Sequence, residues 1–420
     1  MLFQTISVLV VATAFFSWFN RRFLALPSNV ALLIMGVTAA FALLGIEFLF
    51  PSETIPRRLK WALGEIDFYE TVMNGMLAFL LFAGAVTVDW GKLRSRAPMV
   101  SLLATLGVVI SAFLVAGICW LVVQVLSLPL SFAWCLVFGA LIAPTDPVAA
   151  LAALKTVKLP EALETEISGE SLFNDGVSIV LFTVALQFAM TGPENPGPGE
   201  IALSLLQEML GGVFLGLAGG YIAFHAIRSV NDYSDEVLFS LALVMGTYAL
   251  ANTLGFSGPI SVVIAGIFIG NRGAPLAMSS QTRSYFFGFW RLVDYMLNGI
   301  LFTLLGLEVL ILNLHLSVVL NGLLAIPIVL AARYLAVRFS MLSVGKWLNF
   351  GPGAPVLLTW SAIRGAISAA LALALPASDA RPYILAGAYA VIVFSVIVQT
   401  LTLPRLVRHY VGDSSQGTEG

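Results

Sequence analysis

Runs of ~18–25 apolar residues recur along the whole chain, separated by short clusters of Pro, Gly and charge. A helix of that length crosses a ~30 Å hydrocarbon layer. In lipid, only helices and closed barrels satisfy every backbone polar group. The alternating ~10-residue strands of a barrel are absent. Of 420 residues, 59% are hydrophobic and 10% charged, whereas soluble domains carry roughly 25% charge. The chain therefore reads as an all-α polytopic membrane protein with the lipid bilayer as its solvent. A net charge of -2 without a basic tract argues against nucleic acid as a partner.

The breaks give thirteen candidate spans, at 2–20, 29–50, 71–90, 98–126, 131–154, 160–190 and 200–227, then 235–254, 258–271, 294–313, 317–345, 354–376 and 382–407. The first lacks a basic leader and a small-residue cleavage site, so it reads as a span rather than a signal peptide. The charged stretch 56–70 is expected to lie along the interface, and 191–200 to form an exposed connector. After Arg408 the sequence is short and polar, and no regulatory domain is expected there. With the N-terminus outside, fifteen of the 21 Lys and Arg fall on the cytoplasmic side, including Lys92, Arg96, Arg272 and Arg291. Four fall outside: Arg57, Arg58, Lys60 and Arg381. That asymmetry places the C-terminus in the cytoplasm of a cell whose inner membrane holds the protein. Cys119 and Cys135 read as small buried hydrophobes, with no spacing suited to a metal.

Two basic residues fit no loop: Arg333 in the eleventh span and Arg364 in the twelfth. Three acidic ones share that position, Asp146 in the fifth span and Glu170 and Asp175 in the sixth. Intramembrane charges are costly unless paired or hydrated, and they mark function. A shift of the chain by 218 residues lays Asp146-Pro147 over Arg364-Gly365, each ahead of an Ala-rich continuation. Interrupted helices at matching positions of two repeat halves point to a transporter's binding site.

In APTDP, Pro144 and Pro147 flank Thr145 and Asp146, so the fifth span should unwind there. Thr145 and Asp146 would then offer oxygen ligands to a hard cation. In GESLFND, Ser171 and Asp175 form one stripe at i,i+4 and Glu170 and Asn174 an adjacent one. The first stripe is expected to turn toward the Thr145/Asp146 break, the second toward a neighbouring helix. Glu170 needs a buried cation, with Arg333 the first choice and Arg364 the second. Asp175 has no cationic neighbour in sequence and is open to either a proton or a metal cation. Arg364 would set its charge against the partial negative charge of helix C-terminal ends.

Asp146 in TDPVA, the run GESLFND and the run RGAISAALAL resemble the hallmark motifs of monovalent cation/proton antiporters of the sodium/proton exchanger branch. The resemblance covers nearly the whole chain. It implies inverted six-helix repeats with two crossing broken helices, and a homodimer of thirteen-helix protomers. Dimerisation segments would occupy 1–90 and 200–313, the ion-translocating core 98–190 and 317–408, and a cytoplasmic tail 409–420. Asp175 matches the ion and proton carrier. Ser171, Thr145 and Asp146 match positions that bind the transported Na+, Asp146 through water. Glu170 matches the acid of a buried ion pair with a core arginine, and Asn174 a residue tied to it. The Asn-Asp pair implies electroneutral one-for-one exchange. No cofactor is expected beyond the transported Na+ or Li+ and H+.

Four other readings of the same residues stand beside Na+/H+ exchange. One is a K+/H+ antiporter of this fold, and another a passive cation channel. An intramembrane aspartyl protease would use Asp146 with Asp175. A zinc or serine protease lacks its histidines, because His225, His315 and His409 are scattered. Glu47 and Glu308 read as external helix-end groups, Asp89 as a helix-end charge and GNRG at 270–273 as a helix stop. The small residues of GGVFLGLAGG at 211–220 are expected to pack closely on another helix.

Overall fold

The computed structural model describes residues 2–50, 75–154, 161–191, 198–310, 316–344 and 353–411. The interfacial stretch 56–70, residues 192–197 of the connector and the tail beyond Val411 lie outside them. The described segments are helical. They run α1 (Leu2–Phe19), α2 (Ser28–Leu49), α3 (Leu77–Ala85), α4 (Trp90–Leu126), α5 (Phe132–Leu141), α6 (Pro147–Leu154) and α7 (Glu161–Thr191). They continue with α8 (Pro198–Arg228), α9 (Tyr233–Leu254), α10 (Gly258–Ala277), α11 (Ser280–Leu307) and α12 (Leu316–Val344). The last are α13 (Ala354–Trp360), α14 (Ala366–Leu373) and α15 (Arg381–Val411). Among the described residues, 8 helices are long and apolar enough to cross a membrane. Large apolar side chains such as Val11, Phe48, Val125, Phe214 and Leu342 point outward, as a lipid solvent allows. The protein is a multi-pass membrane protein.

Several helices extend beyond their apolar runs. The fourth span was expected from 98 but begins at Trp90, because Asp89 Oδ1 accepts from Gly91 N at 2.7 Å and Lys92 N at 3.2 Å. The tenth was expected from 294 but begins at Ser280, where Ser279 Oγ accepts from Thr282 N at 3.2 Å. Lys92, Arg94, Arg96, Arg283 and Arg291 therefore sit on helical extensions rather than in loops. Arg338 likewise lies inside α12, exposed. Residues 270–273 do not stop their helix. A π-turn at Ile269–Gly273 carries it through to Ala277. Asn271 makes that turn useful, donating from Nδ2 to Val88 O at 2.8 Å and accepting from Trp90 N at 2.8 Å.

Small residues decide which helices touch backbone to backbone. A Cβ on Gly36 would lie 2.9 Å from Gly306 Cα, and one on Gly306 would lie 2.7 Å from Gly36 Cα, so α2 and α11 meet with nothing between them. Of the glycines in 211–220, Gly212 and Gly216 face the carbonyls of Ser257 and Ser261 at α10, and Gly219 faces Thr247 of α9. α11 lies along α1, α2 and α3, and α8 along α9 and α10. α7 packs on α4 and α5, while α12 packs on α4, α13 and α15. Cys119 and Cys135 are free thiols beside Ala116 and Val123.

Candidate functional site

Two helices come apart where the prolines and the Arg-Gly pair stand. α5 ends at Leu141, residues 143–146 are non-helical, and α6 restarts at Pro147 with Asp146 Oδ1 accepting from Ala149 N at 3.0 Å. The second break occupies 362–365 between α13 and α14. The breaks bind each other: Asp146 N donates to Ile363 O at 2.7 Å. Arg364 Nη1 donates to Ala143 O at 2.5 Å and to Pro144 O at 3.1 Å, capping the carbonyl end of α5 with a buried guanidinium. The backbone groups freed by unwinding are thus taken up by the other break, which makes unwound chain tolerable at this depth.

Gly365 permits the approach. A Cβ there would fall 2.8 Å from Asp146 Cβ and 2.9 Å from its Oδ2. Gly365→Ala must therefore displace the Asp146 carboxylate or part the breaks. We expect the variant to lose about 1–3 kcal/mol of stability, as overpacked sites do. Thermal unfolding in detergent reads the loss.

α7 supplies the opposite wall. Ser171 Oγ lies 2.7 Å from Thr145 Oγ1, as the stripe pattern predicts. Asn174 departs from its expected direction: its Nδ2 donates to the same Thr145 Oγ1 at 2.7 Å, so it faces the break and not the Glu170 pair. Ser171 and Asn174 are three apart and share a face as readily as residues four apart. Glu170 turns away to Arg333 of α12, with Oε1 to Nη2 at 2.5 Å and both side chains about 4% exposed. Of the two candidate arginines, Arg333 is the one that pairs, and Arg364 holds the break.

Asp175 is 4% exposed, and its Oδ1 makes no hydrogen bond to protein. It lines a chamber of about 80 Å³ together with Thr145, Asp146, Asp294, Asn298 and Ser368. That volume accommodates a partly hydrated monovalent cation. The chamber shares Gly84, Leu172 and Asp294 with a funnel of about 370 Å³, whose mouth carries Asp89, Lys92, Glu164 and Arg291. The two cavities adjoin at those three residues, and the funnel lies between the α4–α7 wall and the α3/α11 wall.

Sequence reading missed three polar residues here. Asp294 and Asn298 of α11 face the chamber, with Asn298 Nδ2 donating to Asp294 Oδ1 at 2.9 Å. Their i,i+4 spacing in LVDYMLNGIL was the available signal, obscured by placing Asp294 at a helix end. Glu166, one turn before Glu170, is buried and pairs with Arg96 at 3.3 Å. Extending the Glu170/Asn174 stripe by four residues would have found it.

Two meeting broken helices beside a buried carboxylate in a polar chamber define a secondary transporter. The chain belongs to the sodium/hydrogen exchanger family, whose transmembrane domain matches residues 10–409. It is 37% identical over 426 residues to the Na+/H+ antiporter NhaP of Pseudomonas aeruginosa, covering 99% of each chain. It is 33% identical to the Na+/H+ antiporter NhaH of Halobacillus aidingensis, covering 97% of this chain and 96% of the relative. The fold is shared with the sodium proton antiporter MjNhaP1 of Methanocaldococcus jannaschii, at a TM-score of 0.76, 23% identity and coverage of 98% and 99%. The family is one of transporters rather than enzymes.

Proposed function

We propose that this chain exchanges Na+ or Li+ for H+ across the cell membrane by alternating access, with Asp175 as the carrier. One observation supports this most: a buried carboxylate whose Oδ1 has no protein partner lines a polar chamber that adjoins a funnel at one end of the bundle. The names of the relatives support the choice of ions. Asp175 can hold a proton or a metal cation, and each occupant displaces the other. Asp146, Thr145 and Ser171 add oxygen ligands suited to a small hard cation. Asn174 fixes Thr145 Oγ1 as an acceptor, so Thr145 can donate to Ser171 and leave a Ser171 lone pair for the ion.

The charge count favours one-for-one exchange. Glu170 is committed to Arg333, and Asn174 is neutral beside Asp175. One carboxylate accepts one Na+ or one H+, so the loaded forms carry equal charge. The Lys and Arg asymmetry puts the funnel mouth and the C-terminus in the cytoplasm and the N-terminus outside, in a thirteen-span topology with each broken span counted once. The helices of 1–90 and 200–313 form the dimerisation side of a homodimer, and those of 98–190 and 317–408 the moving core.

Reconstituted protein should collapse a preset pH gradient when Na+ or Li+ is added and generate no membrane potential. Collapse with K+ alone would favour the K+/H+ reading. Unitary currents in a planar bilayer would favour a channel, and peptide cleavage without any gradient an aspartyl protease.

A further inference from the structure

We infer that Ser368 of α14 is a further ligand of the transported cation, supplied by the second broken helix. The inference rests on the reading of Asp175 as carrier and adds to it. Ser368 is 0% exposed, its Oγ has no hydrogen-bond partner, and it forms part of the chamber wall with Asp175, Asp146 and Thr145. A serine inside a helix ordinarily sends its proton back to the carbonyl three or four residues earlier. Thr359 donates in this way to Pro355 O at 2.7 Å, Thr247 to Leu243 O within its helix, and Ser240 to Val237 O at 2.7 Å. Ser178 and Ser340 are buried without such a bond, as Ser368 is, but Ser368 alone of the three lines the chamber. For Ser368 the corresponding carbonyls belong to Arg364 and Gly365, at the break and its edge, and neither takes the proton.

A fully buried hydroxyl that makes no hydrogen bond is costly to keep, and here a smaller alanine would continue the Ala-rich run without penalty. The chamber's other polar groups come from α7, the first break and α11, and Ser368 is the one polar side chain that the second broken helix adds to its wall. With Ser368 included, both broken helices and α7 contribute to the ion's shell, so the shell depends on the two breaks keeping their contact at Asp146 N and Ile363 O. The ligand is neutral. It tunes affinity and selectivity among cations and leaves the number of protons exchanged unchanged.

Transport in liposomes tests this with Na+, Li+ and Tl+ as the probes, on the unmodified protein and on Ser368→Ala, Ser368→Cys and Asp175→Asn. Ser368→Ala should raise the KM for Na+ and Li+ by about five- to tenfold, the effect of one lost polar contact, with the proton-to-cation ratio unchanged. Ser368→Cys keeps nearly the same volume and replaces a hard oxygen with a soft sulfur. It should raise the KM for Na+ and Li+ while leaving that for the softer Tl+ close to normal. Should Ser368→Ala not fold, the cysteine variant decides alone. In Ser368→Cys an equal change for all three cations, or in either variant a lower maximal rate at unchanged KM, would assign Ser368 to packing and overturn the inference. Loss of exchange in Asp175→Asn together with unaltered KM values in both Ser368 variants would sink this inference and spare the carrier. Normal exchange in Asp175→Asn would instead remove the carrier reading on which it rests.

Discussion

Asp175→Asn should abolish cation-dependent proton movement, a fall of at least about 100-fold, while the protein should still fold and stay monodisperse in detergent. The substitution keeps the shape of the side chain and removes its charge. A sodium ion in a chamber of this size has surrendered much of its hydration and needs a counter-charge, and losing one leaves a desolvated ion worth several kcal/mol less well held. An amide also cannot take up a proton in any physiological range, so both halves of the cycle fail together. Folding survives because Asp175 Oδ1 holds no protein donor that would be orphaned. A pH-sensitive dye in liposomes reads the transport, and gel filtration reads the fold. Residual exchange near the normal rate would move the carrier elsewhere in the chamber, with Asp146 and Asp294 the carboxylates left there.

Arg333→Met should show the opposite profile and fail in stability first. It leaves the Glu170 carboxylate buried without its cation, and breaking a buried pair from one side typically costs about 3–5 kcal/mol. Arg364 is a poorer partner for Glu170, because its Nη1 is held by the carbonyls of Ala143 and Pro144. The double variant Glu170→Gln/Arg333→Met removes both charges and should regain a substantial part of the loss, because a neutral pair carries no desolvated ion. Thermal unfolding of the detergent-solubilised protein measures the cycle. Additive single and double effects would mean that the two side chains are not coupled as their 2.5 Å contact requires.

Much of this architecture was legible in the sequence because the bilayer leaves so few options. Run length gave the helices, the prolines of APTDP gave the first break, and helical spacing brought Ser171 to Thr145. Arg333 and Arg364 stood out because charge at that depth has to be compensated. What escaped was information that apolar runs do not hold. The starts of α4 and α11 are set by the caps Asp89 and Ser279 upstream of the hydrophobic stretch. Asn174 was assigned by its four-residue relation to Glu170, yet its three-residue relation to Ser171 governs its contact. The i,i+4 spacing of Asp294 and Asn298 marked a polar face of α11, but which cavity that face lines is set by the packing of α11 against α3. The resemblance to exchanger motifs gave the identity of the ions, which oxygen ligands alone do not distinguish.

Competition at one acid group can be tested without any transport. Purified protein in weak buffer should release about one proton for each Na+ it binds, with apparent Na+ affinity rising tenfold per pH unit while the acid remains protonated, and Asp175→Asn should release none. Saturable Na+ binding to the unmodified protein with no proton released, at an affinity indifferent to pH, would contradict a shared carrier.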